Sequence, residues 1–147
     1  MRMSTRGRYG VRAMVELALN YEKGPLLLKD LAKKQEISPR YLDQLITPLR
    51  TAGLVKNIKG AGGGYTLAKH PSQITLGDVL HVLEGSTAFV DCVDDSTLCP
   101  RANICAIHDV WGRVKEAVDN IFDSLTLEEM IHQQLQKEGT ISYDYTI

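Results

Sequence analysis

Several features that would point elsewhere are missing from this 147-residue chain. It has no long apolar run, no secretory leader pattern and no lipidation signal, so the expected setting is the reducing cytoplasm, with no membrane partner. Cysteine is scarce at three residues, and none is spaced as the C-x-x-C pair that thiol oxidoreductases use. An odd thiol count in that setting argues against a disulfide framework. The nucleotide-binding pattern GxxxxGK[ST] is absent too: Gly60, Gly62, Gly63 and Gly64 do not lead from a strand into a helix, and the lysine and hydroxyl are missing. With no substrate-pocket signature either, neither an enzyme nor a small-molecule substrate is expected.

Charge of one sign is missing from each half in turn. Residues 1–70 carry 13 Lys or Arg against 5 Asp or Glu, a net of +8, whereas residues 71–147 carry 4 against 13, a net of −9. The overall charge of −1 conceals this division. A basic front joined to an acidic back implies a module that meets a polyanion and a second part that avoids it. A pure protein-interaction module would leave the basic front unexplained.

The basic half reads as three helices and a hairpin. Val11, Met14, Val15, Ala18 and Leu19 recur at helical spacing, and Ser4 or Thr5 suits the N-cap. Arg2, Arg6, Arg8 and Arg12 gather at or before that helix start, where the helix dipole does not favour cations, so a phosphate backbone accounts for them better. Leu28 to Gln35 reads as a short second helix with Leu31 and Ala32 inward. Ser38 then caps a third helix whose first residue is Pro39, where the missing N–H costs nothing. It is expected to run to about Arg50, burying Leu42, Leu45, Ile46 and Leu49 and presenting Arg40, Tyr41, Asp43, Gln44 and Thr47 to a major groove.

Gly53 ends that helix, and Leu54–Ile58 and Tyr65–Leu67 read as strands about a glycine-rich tip. A two-stranded wing behind a helix-turn-helix is the winged-helix plan. Lys56 and Lys59 supply charge for DNA, and Gly63 with its neighbours lets the wing backbone approach closely.

In the acidic half, Ile74 to Leu83 is expected to be a helix capped by Thr75, and 86–104 a loop. A long helix follows from about Ile104, with a stripe of Ile107, Val110, Trp111, Val114, Val118, Ile121 and Phe122 too long for this domain to bury alone. A second copy of the chain is the expected cover. Thr126 and Glu129 form a capping box for a last helix, and helix signals fade after Glu138, leaving the tail as a surface or disordered end.

All three cysteines fall in CVDDSTLCPRANICAIH, with six residues between Cys92 and Cys99 and five between Cys99 and Cys105. That is looser than the knuckles of a structural zinc site and fits a bulkier iron-sulfur unit better, although zinc and inert thiols remain open. His108, three residues after Cys105 on the long helix, is a candidate fourth ligand.

Taken together, MRMSTRGRYGVRAMVELAL, SPRYLDQLITPLR, GAGGGYTL and CAIHDVW resemble the winged-helix regulator family typified by IscR, the iron-sulfur cluster regulator, over about residues 1–135. The resemblance implies a mainly α fold with a small β-wing, and a homodimeric bacterial transcription factor bound to double-stranded operator DNA. The implied division is a DNA-binding domain at 1–72, a linking helix and cluster loop at 73–106, dimerisation helices at 107–138 and a tail at 139–147. By the same resemblance Cys92, Cys99, Cys105 and His108 hold a 2Fe-2S cluster, and Arg40, Asp43, Gln44 and Lys59 face DNA. The chain departs from the pattern in the extra residue between its first two cysteines, and in Lys59 and Ala61, where arginine and proline are common. A 4Fe-4S, nitric-oxide-sensing branch takes an acidic ligand near the N-terminus of the other subunit; that position here is Arg8, which has no lone pair to give, so Asp91, Asp94 or Asp95 would have to supply it, and 4Fe-4S stays the alternative to 2Fe-2S.

Overall fold

The computed structural model describes residues 2–146, with side chains through residue 139. Three helices lead: α1 (Thr5–Leu19), α2 (Leu28–Gln35) and α3 (Pro39–Thr51). Ser4, not Thr5, caps α1, its Oγ accepting from the Gly7 amide at 3.0 Å. The turn from α2 to α3 passes through Glu36 in the left-handed region, φ 57°. Ser38 then accepts from the Tyr41 amide at 3.1 Å, as its position before Pro39 predicts. Leu42, Leu45, Ile46 and Leu49 are all buried, the stripe expected of α3. Each stabilises the packing by about 1.5–3 kcal/mol relative to leaving it exposed.

The wing is β1 (Val55–Ile58) paired antiparallel with β2 (Gly64–Leu67), in register from Val55 opposite Leu67 to Ile58 opposite Gly64. Leu54 stays outside the strand because its amide closes the end of α3 on the Leu49 carbonyl at 3.0 Å. The wing is also tied to the connection between α1 and α2. Leu26 and Tyr65 exchange both backbone bonds, at 2.9 and 2.7 Å, as a short third rung.

α4 (Leu76–Leu83) begins later than the apolar pattern implies, since Ile74 is fully buried in extended backbone and accepts from the Leu127 amide at 2.9 Å. Thr75 caps it as expected, and Asp78 completes a capping box that the sequence reading passed over. Segment 86–104 is not plain loop. It contains one helical turn, α5 (Asp91–Asp94), and two 3-10 turns at Ser96–Leu98 and Ala102–Ile104. The long helix α6 (Ala106–Ser124) therefore starts after Cys105, which is still extended at the N-cap.

The last helix, α7 (Leu127–Thr146), continues beyond Glu138, where helix signals fade. Once a helix is nucleated each further residue adds a hydrogen bond, so weak formers are carried along. Its first turns fold back onto α1. Leu127 is fully buried in the core built by α1, α3 and the wing, and Met130 and Ile131 pack against it. The helix grouped with the long one in the sequence thus belongs by packing to the N-terminal core. α6 is different, for it has no buried residue at all. Among the described residues no helix is long and apolar enough to cross a membrane.

Candidate DNA-reading face and thiol–imidazole site

Arg40, Asp43 and Gln44 are exposed on α3, and with Thr47 they fall at the i, i+3, i+4, i+7 spacing of one helix face. Thr47 is exposed as well, its hydroxyl donating to the Asp43 carbonyl at 2.8 Å. Tyr41 is partly buried, its ring edge-on to Tyr9 of α1 at 6.1 Å between centroids. Lys56 stands exposed on β1 and Lys59 at the wing tip. Arg2 and Arg8 are exposed at the start of α1, Arg8 with its guanidinium 5.9 Å from the Tyr9 ring centre.

Among the described residues none of Arg2, Arg8, Arg40, Lys56 and Lys59 is in an ion pair. Such a set is suited to phosphate oxygens. Gly63 has a more local duty than close approach to DNA: its amide donates to the Gly60 carbonyl at 3.0 Å, and a Cβ there would run into the Ile58 carbonyl.

Two side-chain links behind this face escaped the sequence reading. Ser4, the α1 cap, donates from both its amide and its hydroxyl to the Glu84 carboxylate at the end of α4. Arg12 donates from Nε to Gln35 Oε1 at 3.0 Å and lies 5.1 Å over the Tyr9 ring. A signal for the second link was present. Gln35 follows Leu31 by four residues, so a polar group was placed on the inward row of α2 and needed a partner.

The cysteine segment folds back along α6. Thr87 donates to Asp119 Oδ1 at 2.5 Å, Phe89 meets Trp111 at 5.7 Å between ring centres, and Cys92 Sγ lies 3.4 Å from His108 Nδ1. These contacts run in reverse order along the helix, so the segment lies antiparallel to it. Lys115 bonds the same Asp119 at 2.7 Å. That bond and the Thr87 hydroxyl hold the Asp119 carboxyl below its usual range, and Asp119 in turn raises the Lys115 ammonium. Asp95 is lowered by the Thr97 hydroxyl and amide, which commits it to its own turn.

The structure thus brings together the first and last of the four candidate ligands. All three thiols are free and partly buried, with Cys99 after the first 3-10 turn and Cys105 at the head of α6. Among the described residues no three Cys, His, Asp or Glu side chains converge closely enough for a single metal ion. The donor chemistry itself, three thiols and an imidazole that are all part-accessible, fits an iron-sulfur group.

Comparison with known proteins gives this geometry a context. The family Rrf2, described as "Iron-dependent Transcriptional regulator", matches residues 3–133. The chain is 44% identical over 130 residues to the HTH-type transcriptional regulator CymR of Bacillus subtilis, covering 88% of this chain and 89% of that protein. The solved structure of B. subtilis CymR, named the global cysteine regulator, superposes with a TM-score of 0.76 at 42% identity, over 90% of this chain and 98% of that one. The structure of T. potens IscR superposes equally, with a TM-score of 0.76 at 41% identity, over 91% and 88%.

Proposed function

The chain belongs to the Rrf2 family of transcriptional regulators, and from that premise we propose that it is a homodimeric, cytoplasmic operator-binding protein whose DNA affinity is set by an iron-sulfur cluster. Its relatives are named transcriptional regulators, so the chain is a DNA-binding regulator and not an enzyme. The proposal adds the cluster, 2Fe-2S, and its ligands Cys92, Cys99, Cys105 and His108. The contact of His108 Nδ1 with Cys92 Sγ carries the reading, because it joins the two ends of a 17-residue donor segment.

When bound, a 2Fe-2S group with one imidazole ligand supplies one-electron chemistry and a site of loss at the histidine-ligated iron. The residues of the chain do the rest. Cys99 and Cys105 draw segment 93–105 inward, and His108 anchors it to the first turn of α6. Through α6, closure or release of that segment alters the separation of two recognition helices across a dimer, which is the quantity that half-site spacing reads. Arg2, Arg8, Lys56 and Lys59 take phosphate, while Ser38, Arg40, Tyr41, Asp43 and Gln44 stand at or behind the base edges.

Anaerobic purification, an absorption spectrum and iron and sulfide analysis, repeated on His108→Ala, test the cluster. Two irons and two sulfides per chain, destabilised by the substitution, are expected. Four irons indifferent to it would move the ligand set to the 4Fe-4S arrangement. A second reading is favoured by the three free, part-accessible thiols and by the likeness to a cysteine regulator: a thiol-based switch without a cluster. Colourless protein with unchanged operator binding in His108→Ala would select that reading, and operator affinity at one fixed salt concentration is the shared measurement.

A further inference from the structure

Arg12 sits among the arginines that the sequence assigns to phosphate, yet its geometry is unlike theirs. Its Nε–H is committed to Gln35 Oε1 at 3.0 Å, and its guanidinium covers the Tyr9 ring at 5.1 Å. Gln35 is only 6% exposed and is the last residue of α2, directly before Glu36, whose left-handed backbone makes the turn into α3. Tyr9, beneath the guanidinium, meets Tyr41 edge-on in the first turn of α3. One side chain on α1 therefore holds both sides of the turn: the end of α2 through Gln35, and the start of α3 through the two rings.

We propose that Arg12 is a positioning residue for operator recognition, fixing the angle at which α3 meets DNA through Gln35 and the Tyr9–Tyr41 pair. The inference rests on the DNA-binding reading above but not on the cluster. A planar guanidinium is needed for it. Arg donates along its edge while stacking its face on an aromatic ring, whereas a lysine ammonium is a compact, strongly hydrated charge that does not do both at once. Among the described residues the outer nitrogens of Arg12 have no partner, and the residue is exposed, so a phosphate contact can add to the positioning. Positioning and simple charge then make opposite predictions for a change that keeps the charge.

The test uses the full chain. A duplex is first selected from random sequence by the unaltered protein, and affinities for that duplex and for a scrambled duplex of the same composition are compared across salt. Failure to select any sequence would overturn the DNA-reading function itself. Given a selected duplex, Arg12→Lys and Arg12→Ala are both expected to weaken it by roughly tenfold, the scale of a charge-assisted hydrogen bond. Arg12→Lys is expected to keep the unaltered affinity and salt slope for the scrambled duplex. Gln35→Leu should produce the same loss of preference and add little to Arg12→Lys, since the two act through one contact. If Arg12→Lys retains the operator preference and only Arg12→Ala weakens both duplexes alike, Arg12 is a phosphate contact and the positioning role is wrong. Should Gln35→Leu fail to fold, the comparison of the two Arg12 variants decides alone, because that side chain lies on the surface.

Discussion

Asp119 and His108 share one face of α6, and both act on the segment that precedes or contains the first cysteine. Asp119 is the better-satisfied of the two, taking a hydrogen bond from Lys115 and one from Thr87. Its carboxyl is held below the ordinary range, first by Lys115 and then by Thr87, so the stability it contributes is full above the unfolded value near pH 4 and is lost as pH falls through the lower folded value. The Lys115 ammonium is raised by the same bond, so its share is present below about pH 10 and is lost as pH rises through the folded value. Both groups keep some contact with water, which screens the pair to about 0.5–1 kcal/mol. Thermal unfolding of Asp119→Asn followed against pH should show a lower midpoint at neutrality and a shallower fall toward acid than the unaltered chain. Parallel acid limbs would show that Asp119 does not anchor the segment.

The wing depends on glycine backbone, most tightly at Gly64. Gly64 has φ +145°, and a Cβ there would collide with the backbone of Leu26 and Leu27, the very connection to which Tyr65 is bonded. Gly64→Ala is expected to cost about 1–3 kcal/mol, through strain and loss of the Leu26–Tyr65 rung. Hydrogen exchange at the Leu26 and Tyr65 amides reads the local effect. Protection equal to that of the unaltered chain would mean that the wing is held by β1 alone. The α6 stripe shows how one helical pattern can serve two purposes. Trp111 turns toward Phe89 within the same chain, while Ile107, Val110 and Ile121 remain 49%, 42% and 59% exposed. Periodicity merges these into a single band because positions 110 and 111 differ by only about 100° around the axis.

At the scale of the whole molecule the two halves are not two separate bodies. α7 returns to α1, so the basic and acidic halves of the sequence contribute to one core through Leu127, while α6 packs on α4 and α5 and leaves Ile107, Val110 and Ile121 exposed. The homodimer proposed above would cover that face, and Ile121→Glu tests it. The substitution is expected to turn a dimer into a monomer by light scattering and to lower operator affinity by at least tenfold, since a single half-site loses the second recognition helix. An unchanged mass would place the assembly surface elsewhere.

By itself the sequence determined what local chemistry decides. Ser38 before Pro39 set the start of the recognition helix, the i, i+3, i+4 recurrence of Leu42, Leu45, Ile46 and Leu49 set its buried side, and the glycine-rich tip between two short apolar runs set the wing. The candidate donors of the cysteine segment could be named in the same way, because soft-donor chemistry belongs to the residue type. The tertiary structure alone decided which of those donors meet, that Arg12 bonds Gln35 and covers Tyr9, and that the last helix joins the first. Contacts between residues separated by 16, 23 or 80 positions leave no periodic trace in the sequence. They exist because burying Leu127, Ile74 and the α1 stripe in one core fixes where every attached polar group must find its partner.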